Sequence, residues 1–107
     1  MTDRIDAIKA MLQKDPTDIF LHYSLGMEYV SSNRLEQAIE AFQQCVKQDA
    51  GYVPAYVELG KCLCAAGRLQ TAREFFEKGL ELARAKGLSH TADYILQQLQ
   101  TLPKSGS

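Results

Sequence analysis

Residues 25–42 read LGMEYVSSNRLEQAIEAF, and residues 59–76 read LGKCLCAAGRLQTAREFF. Laid over each other at an offset of 34, the two stretches share seven identities: Leu25/Leu59, Gly26/Gly60, Arg34/Arg68, Leu35/Leu69, Ala38/Ala72, Glu40/Glu74 and Phe42/Phe76. Average composition gives roughly two by chance in such a window. The matched types matter more than their number. Leucine, glycine, alanine and phenylalanine recur at helical spacing, so each copy reads as a pair of helices with a break between them.

In the first copy Phe20, Leu21, Leu25, Tyr29 and Val30 fall on one helical face, and Leu35, Ala38, Ile39, Phe42 and Val46 do so after Ser31-Ser32-Asn33. Asn33 followed by Glu36 predicts a capping box for the second helix. Gly67 holds the equivalent place in the second copy, where a positive φ is accommodated without cost. Pro16 and Pro54 are expected just inside helix starts, where the missing N–H is harmless. The predicted helices are 3–14, 17–31, 34–48, 53–66, 68–86 and 89–101. Gly26 and Gly60 stand in mid-helix, where glycine costs about 1 kcal/mol against alanine. Close approach of another helix accounts for that cost, with Ala38 and Ala72 as expected facing partners and Phe42 and Phe76 a turn further on.

This constellation resembles the tetratricopeptide repeat, a helix–turn–helix unit with the pattern W-x2-L-G-x2-Y … A-x3-F … P. Residues 19–52 supply Leu25, Gly26, Tyr29, Ala38 and Phe42, with His22 in the tryptophan slot and Ala50 in the late-proline slot. Residues 53–86 supply Leu59, Gly60, Ala72 and Phe76, with Tyr56 in the tryptophan slot and Leu63 in the tyrosine slot. Pro16 resembles the late proline of a preceding half-repeat, whose second helix is 3–14. The resemblance implies an all-α, right-handed α-solenoid of about six helices in a single domain over 1–102.

The ends are read as caps, because a repeat cannot bury both faces alone. Ile5, Ile8, Met11 and Leu12 give the first helix an apolar face. Gly87 is expected to stop the fifth helix, Ser89 to cap the sixth and Pro103 to end it. Segment 88–102 is then a capping helix with Tyr94, Ile95, Leu99 and Leu102 as its apolar stripe, and 103–107 is a flexible tail.

The 107 residues carry 12 basic and 13 acidic side chains, a net charge of −1, which is not the basic footprint of a nucleic-acid binder. The three cysteines, an odd number, do not make a fully paired disulfide scaffold and suit a reducing compartment. No run approaches the ~20 apolar residues of a membrane span, and the first fifteen residues lack the apolar core of a signal peptide. The expectation is a cytoplasmic protein with neither nucleic-acid nor membrane partners.

Catalytic and metal chemistry find little footing. Cys62 and Cys64, two apart on a helix turning about 100° per residue, diverge too far to share a tetrahedral zinc. With Cys45 they read as small apolar fillers. His22 sits in a packing slot and His90 in the first turn of the last helix. Neither joins a nucleophile and a carboxylate in a catalytic motif, and there is no glycine-rich phosphate loop. No enzyme activity, cofactor or metal is expected.

The inner face remains. In tetratricopeptide arrays the first helices of successive repeats line a concave groove, which the resemblance implies for Phe20, Tyr23, Met27, Val57, Lys61 and Cys64. Leu88, Thr91 and Ile95 are expected to add to it from the last helix. The Lys/Asn/Arg cluster with which some family members grip a C-terminal carboxylate is replaced by Tyr23, Met27 and Glu58. The expected function is a protein-interaction module holding a peptide or helix of a partner in a mostly apolar groove with Lys61 as its cation. The alternative is a homodimer that covers the same face, and a third reading is a small enzyme with no recognisable motif.

Overall fold

A computed structural model describes residues 3–103; residues 104–107, most of the expected tail, lie outside the described residues. It contains six helices and, among the described residues, no strand: α1 (Arg4–Lys14), α2 (Ile19–Ser31), α3 (Leu35–Gln48), α4 (Val53–Ala65), α5 (Leu69–Ala85) and α6 (Ser89–Thr101). The fold is an all-α solenoid in which the main packing runs between helices consecutive in the chain.

The two copies pack alike in atomic detail. A Cβ added to Gly26 would come within 2.5 Å of the Phe42 ring, and one added to Gly60 within 2.4 Å of the Phe76 ring. Both phenylalanines are fully buried, as are Ala38 and Ala72. The three atoms nearest to each added Cβ thus belong to a phenylalanine ring. The physical reason is that a ring one turn along α3 or α5 reaches the space which an absent side chain leaves on α2 or α4.

The tryptophan-slot residues repeat as well. Tyr56 Oη donates to the Ala50 carbonyl at 2.7 Å, and His22 Nε2 lies 2.8 Å from the Pro16 carbonyl. Because a carbonyl only accepts, the histidine ring is the donor there. Each bond ties the first helix of its repeat back to the turn that precedes it.

Three turns share one geometry. Asn33, Gly67 and Gly87 have φ of +59°, +80° and +70°. The following N–H groups of Arg34, Arg68 and Leu88 donate to the carbonyls of Tyr29, Leu63 and Ala83 at 2.8–2.9 Å. This is the Schellman closure of a helix C-terminus. Asn33 is therefore the left-handed residue ending α2. It is not the predicted cap of α3, whose N-cap is Arg34 without a side-chain bond. Asparagine tolerates this conformation better than other side-chain-bearing residues, which is why it shares a slot with glycine.

Two further expectations are corrected. Pro16 lies in the turn before α2, and the helix starts at Ile19 because Asp18 Oδ1 accepts from the N–H groups of Phe20 and Leu21 at 2.9 and 3.1 Å. Ser89 is the first residue of α6, not its cap, since the turn through Gly87 puts Leu88 at the N-cap. Pro54 does lie in the first turn of α4, after Tyr52, and α6 stops at Thr101 before Pro103.

Ile5 and Ile8 of α1 join Leu25, Tyr29, Ala38, Ile39, Phe42, Leu59 and Leu63 in the larger core cluster. Val53, Phe76, Ala83, Ala92 and Ile95 form the second. Met11 and Tyr94, on the apolar stripes of α1 and α6, are exposed, because these end helices pack mainly against one neighbour each. Cross-repeat polar ties bridge the stack: Arg68 pairs with Glu36, and Lys86 Nζ donates to the Gly51 carbonyl.

Candidate functional site

Several depressions mark the described surface, three of them at about 650, 350 and 240 Å³, the smallest beside Arg4 and Glu28. The largest of the three, about 650 Å³, lies over α1, α2 and α3 and is rimmed by Lys9, Gln37, Glu40, Gln43 and Gln44. Its long polar side chains give a ligand few desolvated anchors. The second, about 350 Å³, opens between α2, α4 and the start of α6. Its walls are Tyr23, Val53, Pro54, Val57, Leu88, Thr91 and Tyr94, with Glu58 and His90 as the ionisable groups. That is the composition of a recognition cleft: mostly apolar, with a few convergent polar atoms.

Local sequence explains how these side chains converge. Val53, Val57 and Glu58 are one turn apart on α4, with Pro54 in the same first turn. The tight Gly87 turn folds α6 back so that Leu88, Thr91 and Tyr94 face them across the gap. Leu88 and Tyr94 stay 41 % and 38 % exposed. Tyr23 enters from α2, held by edge-on contacts to Phe42 at 5.5 Å and Tyr52 at 5.7 Å between ring centres.

Of the six residues named from sequence, Tyr23 and Val57 line this cleft. Phe20 stands outside it, 66 % exposed, with its ring edge-on to Tyr52 at 6.2 Å. Met27 and Cys64 are half-buried, and both pack against the core. Lys61 is exposed and paired with Glu58, Nζ to Oε1 3.6 Å, so it is not an unpaired cation. Ile95 is fully buried against α5 and adds nothing to the cleft, in correction of the expectation for it. Val53, His90 and Tyr94 were not assigned to the groove from sequence. The signal for His90 and Tyr94 was the Gly87 turn, which sets where α6 begins but not which way it folds.

Burial, then the Glu58 carboxylate, pushes the Tyr23 phenol up to about 12. Burial also lifts the Cys45 and Cys62 thiols to about 11, so both are protonated and unreactive at neutral pH. Among the described residues no group of three His, Cys, Asp or Glu side chains is placed to hold a metal ion. No helix there is long and apolar enough to cross a membrane.

Comparisons with known proteins agree with this geometry. A family model described as "Tetratricopeptide repeat" matches residues 29–86. A TPR repeat-containing protein, PA0015 of Pseudomonas aeruginosa, is 37 % identical over 83 residues, 78 % of this chain and 79 % of that protein. The crystal structure of MamA superposes with a TM-score of 0.76 at 28 % identity, covering 78 % of this chain; this chain spans 48 % of MamA. The TPR2B domain of yeast Sti1, solved in complex with an Hsp70 peptide, superposes at 0.84 over 90 % of this chain and 77 % of its own, at 17 % identity, a likeness of fold. By its family match and its bacterial relative, this chain belongs to the tetratricopeptide repeat family.

Proposed function

We propose that the protein is a non-enzymatic interaction module that holds an extended or helical segment of a partner protein along α2 and α4. The docking line is Phe20, Tyr23, Met27, Val57, Lys61 and Cys64, extended by Val53, Leu88 and Tyr94 around the cleft. One observation carries this reading: large apolar side chains on one side of the molecule stay open to water beside a cleft with apolar walls. Solvated aromatic and aliphatic groups gathered in one place are characteristic of interfaces. The fold likeness to a domain that holds a peptide lends further support. With only two full repeats the contact area is small, and affinity on the order of micromolar is expected.

Capture of partners by the wild-type chain and by a Tyr23→Ala, Val57→Asp double variant tests the assignment, with circular dichroism to show that the variant is folded. Partners held by the first and released by the second support it. The same partners on both would end it.

Self-association is the second reading, favoured by Phe20, whose ring stands proud of the cleft. A sedimentation mass of one chain across a wide concentration range removes it.

A further inference from the structure

Glu58 is out of keeping with the walls around it. It is the one carboxylate lining the cleft, and its side chain retains 13 % exposure. Its ion-pair partner Lys61, 46 % exposed, stands at 3.6 Å, beyond hydrogen-bond reach, and does not line the cleft. An ionised carboxylate has about four lone-pair sites, so this one retains acceptor capacity toward the opening. Tyr23 and Tyr94 share the lining with it, and Val53, Val57 and Leu88 supply aliphatic wall.

This is the complement of a long basic side chain. Lysine and arginine have apolar stems that lie along aliphatic surface and charged heads that seek a carboxylate or an aromatic face. A purely apolar occupant would desolvate Glu58 without giving it a donor, which is costly. An acidic occupant would meet a like charge.

Resting on the interaction reading above, we infer that the cleft receives an arginine or lysine side chain of a partner segment, its stem against Val57 and Leu88 and its head on the Glu58 carboxylate beside Tyr23. The neighbouring residues of that segment are apolar and cover the rim.

The probes are two acetylated, amidated pentapeptides, ALRLA and its analogue with norleucine in place of arginine, titrated into the full chain by NMR. The arginine peptide is expected to shift Tyr23, Val57 and Thr91 and to bind about tenfold more tightly than the norleucine peptide, as a charge-assisted bond to a sheltered carboxylate implies. Glu58→Gln should erase that preference while leaving the protein folded, and Lys61→Met, which removes the competing cation, should strengthen arginine binding severalfold. Equal or better binding of the norleucine peptide at the same residues overturns the basic side chain and leaves the groove intact. Shifts confined to the depression over α1–α3, or none from either peptide at millimolar concentration, overturn both. A chain that sediments as a dimer and ignores both peptides overturns them in favour of a second copy.

Discussion

Phe42 and Phe76 each lay a ring where a glycine has withheld a methyl group, and this contact can be measured at one residue. In Gly60→Ala the new Cβ gains helix propensity of about 1 kcal/mol but meets a ring that has no space to retreat. We expect a net loss of about 1 kcal/mol or more in urea unfolding. Phe76→Ala should cost about 3–5 kcal/mol. Gly60→Ala combined with Phe76→Leu, which removes the far ring atoms, should lose less than the sum of the two changes, with a coupling of about 1 kcal/mol. Strict additivity would show that the ring does not rest on the glycine.

Helices α3, α4, α5 and α6 start without a side-chain cap, so their boundaries depend on the turns between them. Three of those turns need one residue in the left-handed region. Gly67→Ala puts a Cβ into that conformation and should destabilise by about 1–2 kcal/mol, although nothing lies within 4 Å of the new atom. Asn33→Gly should be neutral or gain a few tenths of a kcal/mol, since asparagine already tolerates the site. Thermal melts of the two variants decide it, and a loss on Asn33→Gly equal to that of Gly67→Ala would contradict the shared turn. Asp18→Ala, which removes the cap of α2, should cost about 1 kcal/mol.

Across the whole molecule, each helix leans mainly on its chain neighbours, so stability should vary along the stack. Helix α4 buries seven residues and α1 two. Native-state hydrogen exchange should therefore find α4 most protected and α1 opening first; uniform protection would contradict this. Alkaline pH acts on the core as a unit. The thiols of Cys45 and Cys62 titrate at about 11 when folded, against 9.0 ordinarily, and the Tyr23 phenol at about 12, against 10.0. The folded state disfavours their charged forms. The stabilisation from keeping them protonated is complete below about pH 9 and is lost as pH rises through 11 to 12. Unfolding free energy should fall over that window. It should fall less steeply in a Cys45→Ala, Cys62→Ala chain, compared at equal starting stability.

Leu25-Gly26 and Leu59-Gly60, followed at matching distances by Ala38, Phe42, Ala72 and Phe76, were enough to read the helical hairpins, since helix period and repeat spacing are properties of local order along the chain. Pro54, Gly67 and Gly87 likewise announced their turns, because proline and glycine act on the backbone where they stand. Local reading failed where one residue type serves two ends of a helix, as Asn33 does, or where a stronger cap lies two residues on, as Asp18 does beyond Pro16. The cleft was only half legible. Tyr23 and Val57 came from the repeat pattern, whereas Tyr94 and His90 belong to it because α6 folds back across α4. The burial of Ile95 was likewise decided in three dimensions, whereas the pairing of Lys61 with Glu58, three residues apart on α4, follows from helix spacing. Which side chains meet across a gap depends on the angle between helices far apart in sequence, and that angle is set by packing, not by spacing.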